Sequence, residues 1–316
     1  MSLLGRIFAH PSLADAPPVL VDIGASGGVH ARWRKFARYS IGVGFEPDSR
    51  EAGALAPASR QFRQWISCSK LVVGDAAARE AELRLTKFPF CSSTLQPDHA
   101  ALGDWAFAGL FAEERVQCLP ATTVAALLQE SGLDRVDWLK CDTQGTDLRI
   151  WQSLPVALRQ QSLAVEFEPG LIDAYVGEDK FHQVLAAMEA EPMWLAELGV
   201  AGTPRGRPEL LARRLGSKLA DYYRKYGPAA AGWVNALYLR RRPEPTALRA
   251  NLLLWVFATE LNQHAFACEV AEAAAAATGD ALAEELAERS VRNMRHALWA
   301  TWPRWPGLLW GKVFGG

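Results

Sequence analysis

The sequence predicts an open, mostly parallel α/β sheet with helices on both faces, followed by a helical appendage. Three observations predict it. Short apolar runs alternate with helical stretches from residue 19 to about residue 242. The first run ends in a glycine-rich turn that leads into a helical stretch over residues 30–39. From Thr246 onward the texture becomes helix only. The expected organisation is an N-terminal extension over 1–18, the α/β domain over 19–242, and the appendage with its tryptophan-rich tail over 246–316.

The 316 residues are half hydrophobic and carry a formal net charge of -1. That suits a globular protein with a large core, and it gives no electrostatic reason to expect a nucleic-acid partner. Five cysteines form no CxxC pair and are odd in number, as expected of buried, reduced thiols in a cytoplasmic protein. No secretory leader is expected from the short apolar run near the start. The apolar run over 252–258 is far short of the ~20 residues that a membrane span needs.

Residues 19–29 (VLVDIGASGGV) follow the break at Pro17 and Pro18. They read as a buried parallel strand and a tight turn in which Gly24, Gly27 and Gly28 avoid a Cβ clash. Strand, glycine turn and helix together bring backbone N–H groups close to a ligand, although an ordinary βα turn has the same pattern. Residues 41–45 (IGVGF) form a second strand, after which a helix capped by Asp48 or Ser49 runs over 50–55. Residues 70–74 (KLVVG) give a third strand closed by Asp75, and Leu83 and Leu85 alternate in a short strand-like segment. Residues 90–95 (FCSSTL) form a polar loop, and 97–114 are irregular or helical.

A helix over 122–131 buries Val124, Leu127 and Leu128 on one face. A strand over 136–141 (VDWLKC), a helix over 147–154 stopped by Pro155, and a strand over 162–167 (SLAVEF) follow. A helix over 179–190 and a strand over 193–198 come next. A basic stretch with Gly and Pro, 199–231, interrupts the pattern before the final strand at 233–239 (WVNALYL). In the appendage Leu248, Leu252 and Val256 recur at fours, and Leu282, Leu286, Met294 and Leu298 form a second stripe beyond Gly279-Asp280. Such stripes pack on the sheet domain or on a second subunit, so a homo-oligomer through these helices is one expectation. Trp299, Trp302, Trp305 and Trp310 are expected to be covered by the chain's own helices, then by a second subunit, then by a membrane surface.

Asp22, Glu46, Asp75 and Asp142 all stand where strands end, which is where open α/β sheets bind ligands. Glu46 follows the glycine turn by the interval at which an acidic residue grips ribose hydroxyls. A carboxylate's two acceptor oxygens match two adjacent hydroxyls. Any one of the four is equally a helix cap or a solvated loop residue; four in register point to a nucleoside. The turn GASGG lacks the GxGxxG spacing and no GxxxxGK[ST] occurs, which favours a nucleoside without a pyrophosphate over NAD. His30, His99 and His182 show no metal-ligand spacing, and no metal is assigned.

The motifs VDIGASGGVH, GFEPD, VVGDA, CSSTL, WLKCDTQGTDLRIWQSL and VEFEP, in that order, resemble the FkbM family of S-adenosylmethionine-dependent methyltransferases. The similarity spans roughly residues 19–240, and KCDTQGTDLRIW carries most of its specificity. The resemblance implies a Rossmann-like class I methyltransferase sheet whose last strand, 233–239, inserts antiparallel. It implies S-adenosyl-L-methionine as cofactor, with Asp22, Gly24 and Gly28 around the methionine part, Glu46 on the ribose and Asp75 near the adenine. Ser26 stands where the family usually has Asn and still offers a hydroxyl at the turn. His30 replaces a residue that is more often small or aromatic.

Methyl transfer requires an acceptor atom held at near-attack distance and stripped of its proton. Side chains alternate along a strand, so Asp142 and Gln144 are expected on one face. Asp142 is the first choice to face the transferred methyl as base or orienting group, besides touching the cofactor. Glu166 and Glu168 share a face of the neighbouring strand and either bind acceptor hydroxyls or are solvated carboxylates. Lys140 is open between a structural and a functional role, and Ser92 and Ser93 either close over the cofactor or form a turn. The function expected is O-methylation of a hydroxyl on a sugar, glycan or small natural product. The alternative is a non-catalytic Rossmann-like scaffold that assembles through its helical appendage.

Overall fold

The computed structural model describes residues 1–26, 28–51 and 60–301. Gly27, most of the helix expected over 50–55, and Trp302, Trp305 and Trp310 lie outside the described residues. Among the described residues the chain forms two compact units, one within residues 16–241 and one of residues 1–15 with 242–301.

The first unit is built on a seven-stranded sheet. Its strands are β1 (Val19–Ile23), β2 (Ile41–Phe45), β3 (Gln64–Cys68), β7 (Trp138–Cys141), β8 (Ala164–Phe167), β9 (Met193–Thr203) and β10 (Ala230–Arg240). Their order is β3-β2-β1-β7-β8-β10-β9, and β10 lies antiparallel between β8 and β9 while β3, β2, β1, β7 and β8 run parallel. The sheet is Rossmann-like, with its last strand reversed as expected. A second, three-stranded sheet joins β4 (Leu71–Val72), β5 (Glu80–Thr86) and β6 (Glu113–Thr122) in the order β4-β6-β5.

The central strands are short and apolar because both of their faces are buried. Val19, Val21, Val43, Phe45, Leu139, Val165 and Phe167 lie in one core cluster. Helices α4 (Val124–Glu130), α5 (Asp147–Ser153) and α7 (Phe181–Glu189) add Val124, Leu128, Ile150, Trp151 and Val184 to it. Short helices α3 (His99–Leu102) and α6 (Val156–Gln161), and the pair α8 (Pro208–Leu215) and α9 (Ser217–Tyr226), fill connections.

The chain departs from expectation where local pattern was weak. Residues 30–39 form two 3-10 turns, Ala31–Trp33 and Ala37–Tyr39, in place of one helix. Trp33 and Phe36 from this stretch pack their rings on Trp138, so burial rather than helical propensity fixes the segment. The strand expected at 70–74 is β4, two residues long and part of the small sheet; the main sheet's edge is β3, whose half-exposed QWISC hides the strand pattern. β6 also escaped notice, because its residues 113–118 are all exposed. Four of the five cysteines are buried as expected, and Cys118 on β6 is exposed.

The second unit pairs α1 (Leu3–Phe8) and α2 (Pro11–Ala14) with α10 (Leu248–Glu260), α11 (His264–Thr278) and α12 (Ala281–Thr301). Arg6 Nη1 donates to Glu285 Oε2 at 2.7 Å, and Trp255 Nε1 donates to Ser290 Oγ at 2.8 Å. Gly279 ends α11 in the left-handed conformation (φ 67°), which a glycine accepts without strain. Trp299 is exposed on α12. Among the described residues no helix is long and apolar enough to cross a membrane.

Candidate functional site

The site lies at the carboxyl ends of β1, β2 and β7. β1 delivers the chain into Gly24 at φ +79°, and a Cβ there would sit 2.1 Å from the Asp142 carbonyl oxygen. Only glycine lets the first and fourth parallel strands release their loops this close together. The Gly24 and Ala25 N–H groups both donate to the Phe45 carbonyl at 3.1 Å, which ties this turn to the end of β2.

That tie brings Ser26 to Glu46. Ser26 Oγ donates to Glu46 Oε2 at 2.5 Å, and the Asp48 N–H donates to Oε1 at 2.9 Å. Burial pushes the Glu46 carboxyl up, and these two hydrogen bonds draw it back toward the ionised form. Arg50 clamps the same loop from outside: its Nη2 lies 2.7 Å from Asp48 Oδ2 and 3.1 Å from Ser92 Oγ, and its Nη1 donates to the Thr86 carbonyl at 2.9 Å. Sequence reasoning placed Arg50 inside a helix and missed this role; nothing in its local pattern signals a partner 36 or 42 residues away. Ser93 Oγ donates to the Gln144 carbonyl at 2.7 Å, so the 90–95 loop is fastened at both serines.

Two cavities open here and share Phe90, Asp142 and Gln144. The first, about 150 Å³, is polar at Ser26, Glu46 and Asp142 and apolar along Leu71, Val72 and Leu83. The second, about 290 Å³, is walled by aromatic rings, with Glu168 and Glu178 among its few charged groups. Phe107 stacks on Trp233 with an interplanar angle of 9°, and Phe111 meets Phe107 and Tyr175 edge-on.

At the junction, Gln144 Nε2 donates to Asp142 Oδ1 at 2.8 Å. They meet for a reason other than strand alternation. β7 ends at Cys141, and Gln144 takes the left-handed region at φ 57°, rare for a residue with a Cβ. The Tyr175 hydroxyl donates to the Cys91 carbonyl at 2.8 Å and lies 3.2 Å from Gln144 Oε1, fixing that amide from the other side. Asp147 holds the loop's far end: buried, it accepts from the Thr143 N–H (2.9 Å) and from the Glu168 N–H (2.8 Å). Burial raises its carboxyl to about 6 despite these bonds.

Glu168 is pushed up to about 9, first by burial and then by the charge of Asp142, to which its side chain is hydrogen-bonded. Glu168 therefore keeps its proton at neutral pH and donates it in the hydrogen bond to Asp142.

A second set of charges stands one row deeper. Asp22, Lys140 and Glu166 are register partners across β1, β7 and β8 and share one face of the sheet. Lys140 Nζ donates to Asp22 Oδ1 at 3.0 Å and lies 3.7 Å from Asp142 Oδ2. Burial works to lower the Lys140 ammonium, but Asp22 and Asp142 hold it above its ordinary value. His30 Nε2 sits 3.6 Å from Glu166 Oε1. Burial, with the charge of Lys140, lowers His30 to about 4, and burial raises Glu166 to about 7, so a neutral imidazole faces that carboxyl.

The structure thus sorts the expected residues. Gly24, Ser26, Glu46, Asp142 and Gln144 line the cavities. Asp22 and Glu166 belong to the deeper row and line neither; Glu166 is drawn into register with Lys140, and Glu168 takes the place by the second cavity. Gly28 turns at φ 95° without lining either cavity. Asp75 is exposed and accepts from the Ala77 N–H at 2.8 Å, as a turn residue does, and does not line either cavity; the apolar wall of the first is made by Leu71, Val72 and Leu83.

No protein-family model and no curated protein matches the chain. One solved structure similar to it is the geranyl diphosphate C-methyltransferase from Streptomyces coelicolor A3(2), crystallised with Mg2+, geranyl-S-thiolodiphosphate and S-adenosyl-L-homocysteine. The identity is 13%, over 75% of this chain and 74% of that one, with a TM-score of 0.32. A likeness this loose leaves the chemistry of the site to the chain's own residues.

Proposed function

We propose that the chain is an S-adenosylmethionine-dependent methyltransferase that acts on a hydroxyl of a small acceptor with an apolar, ring-bearing body. One observation carries this reading: a diol-matched polar pocket and an aromatic chamber meet at one carboxyl pair, Asp142 and Glu168. The motifs shared with the FkbM family support the same cofactor. The residues fit it. Glu46 keeps unused lone pairs for two adjacent ribose hydroxyls beside those bound by Ser26 and Asp48, and Leu71, Val72 and Leu83 offer a flat apolar seat for the base.

When bound, this cofactor supplies a methyl group on a positively charged sulfur. The protein's part is to position the acceptor and take its proton. Phe107, Phe111, Tyr175 and Trp233 hold a planar or apolar body. Asp142 receives the hydroxyl proton, its charge supported by Lys140 at 3.7 Å and its orientation fixed by Gln144. Glu168, protonated at neutral pH, donates to Asp142 and keeps a second negative charge out of the chamber. The ring-rich wall favours a small natural product over a glycan, which would need more hydrogen-bonding partners than this chamber offers. Asp22 and Lys140 act as positioning residues behind the Gly24 turn.

The test is calorimetry with S-adenosylhomocysteine, NAD and buffer. Saturable one-site binding of S-adenosylhomocysteine alone is expected. Binding of NAD, or of neither compound, overturns the reading, and the second result favours the scaffold alternative.

A further inference from the structure

Between β9 and β10 the chain leaves the sheet for a helical hairpin that contributes almost nothing to the core. Of the residues in α8 and α9, only Ala220 is buried. In α9, Leu219, Tyr222, Tyr223 and Tyr226 recur at i, i+3, i+4 and i+7 and so form one apolar stripe. The stripe faces outward: Leu219, Tyr222 and Tyr226 are 61%, 64% and 60% exposed. The rings of the first and last of these tyrosines lie 4.6 Å apart between centroids, tilted by 44°.

Charge frames the stripe. Residues 204–227 hold seven Lys or Arg and two acidic residues, in a chain whose net charge is -1. Arg213, Arg214 and Lys218 make no ion pair among the described residues. Arg205, Arg207 and Arg213 line a hollow at the hairpin's root, against Asp104 and Glu209. Helices with an outward apolar face of Leu and Tyr, flanked by long cationic side chains, suit the boundary between lipid headgroups and acyl chains. Tyrosine places its ring in the apolar layer and its hydroxyl among the headgroups.

We infer that the hairpin of α8 and α9 docks the protein on an anionic phospholipid surface, with the α9 stripe inserted and the arginines and lysines at the headgroups. The charge complementarity decides between occupants. A second copy of the chain would bring the same excess of cations against itself, whereas anionic lipid neutralises it. The root of the hairpin is fastened to the chamber wall: the Ala106 N–H donates to the Pro204 carbonyl at 3.1 Å, and Arg205 lies over the Trp105 ring at 5.0 Å. Docking through the hairpin therefore engages the segment that also walls the aromatic cavity.

The experiment is co-sedimentation of the full chain with vesicles of phosphatidylglycerol and phosphatidylcholine, or of phosphatidylcholine alone, at low and high salt. Two variants are compared, Leu219→Ser with Tyr222→Ser and Tyr226→Ser, and Arg213→Glu with Arg214→Glu and Lys218→Glu. All six side chains are exposed, so both variants should melt as the wild type does. The wild type should sediment with the anionic vesicles only, less so at high salt, and each variant should bind at least ~10-fold more weakly. Absence of wild-type binding to either vesicle overturns the inference, as does equal binding by both variants. A wild-type dimer that the serine variant makes monomeric overturns it in favour of a second copy. Retention of duplex DNA without vesicle binding overturns it in favour of a nucleic acid.

Discussion

Replacing Glu46 with Gln tests the cofactor pocket with little disturbance to the fold. Alanine would leave both the Ser26 hydroxyl and the Asp48 N–H without their acceptor in a buried place, mixing a folding cost into the result. Glutamine keeps one acceptor oxygen for the Asp48 N–H and nearly the same volume. What it removes is the charge and the second acceptor oxygen, which in the wild type accepts from Ser26 and, on the proposed reading, keeps a remaining lone pair for a ribose hydroxyl. Hydrogen bonds to a charged group are worth about 1.5–3 kcal/mol. Part of this is offset in the wild type, because burial already raises the Glu46 carboxyl and makes its ionised form costly. A net loss of about 1–2 kcal/mol is therefore expected, or roughly 5- to 30-fold in the dissociation constant of S-adenosylhomocysteine by calorimetry. The matched control is Asp75→Ala, expected to leave affinity unchanged because Asp75 is exposed and bonded to its own turn. A Glu46→Gln protein that melts like wild type and binds with wild-type affinity would remove Glu46 from the site. Loss of binding in Asp75→Ala would refute the placement of the base against Leu71, Val72 and Leu83.

Other outcomes follow from the same geometry. Asp142→Asn should lower turnover by ~10²–10⁴-fold in single-turnover assays while largely preserving S-adenosylhomocysteine affinity; wild-type turnover would reduce Asp142 to a structural role. Glu168 is protonated in the folded protein up to about pH 9, whereas in the unfolded chain it ionises near its ordinary value, so the folded state binds the extra proton between those limits. Its contribution is full below pH ~4.5 and is lost as pH rises toward 9, with Glu166 and Asp147 adding losses of the same sign up to about 7 and about 6. His30 acts oppositely between about 4 and its ordinary value, since there the unfolded chain binds the extra proton. A melting curve measured against pH should fall from pH 7 to 9, and Glu168→Gln should flatten that limb; an unchanged slope would contradict the assignment. Gly24→Ala should lower stability by more than about 1 kcal/mol, read as a lower melting temperature, because its backbone is left-handed and its new Cβ would meet the Asp142 carbonyl.

Much of this fold was legible in the sequence because buried parallel strands announce themselves as apolar runs. IGVGF and the VLVDI before the glycine turn are strands wherever they are read. The strands that went unseen are those whose residues face solvent. β6 is exposed over most of its length, and β3 lies at the sheet edge, so neither carries the signal that burial writes into composition. The helix expected over 30–39 failed for the opposite reason: tertiary contacts of Trp33 and Phe36 with Trp138 decide that segment, and no local pattern encodes them.

The candidate site shows the same division between what spacing encodes and what only packing decides. Glu46, which lines the first cavity, was legible because its distance along the chain from the glycine turn reflects one strand-to-strand step, a local quantity. Glu166 and Glu168 could not be told apart that way, since they share a strand face and differ by two residues. What separates them is where β8 stops. Glu166 is still paired in register and is held beside Lys140 and His30. Glu168 lies just past Phe167, where the strand ends, and its N–H goes to Asp147 of the neighbouring loop. Released from the ladder, its side chain reaches Asp142 and the second cavity. The chemical difference follows from that one step: Glu166 answers to a buried cation, and Glu168 is hydrogen-bonded to Asp142 at the junction of two pockets. A rule that reads acidic residues at strand ends will find both, and only the strand's last hydrogen bond says which one lines the second cavity.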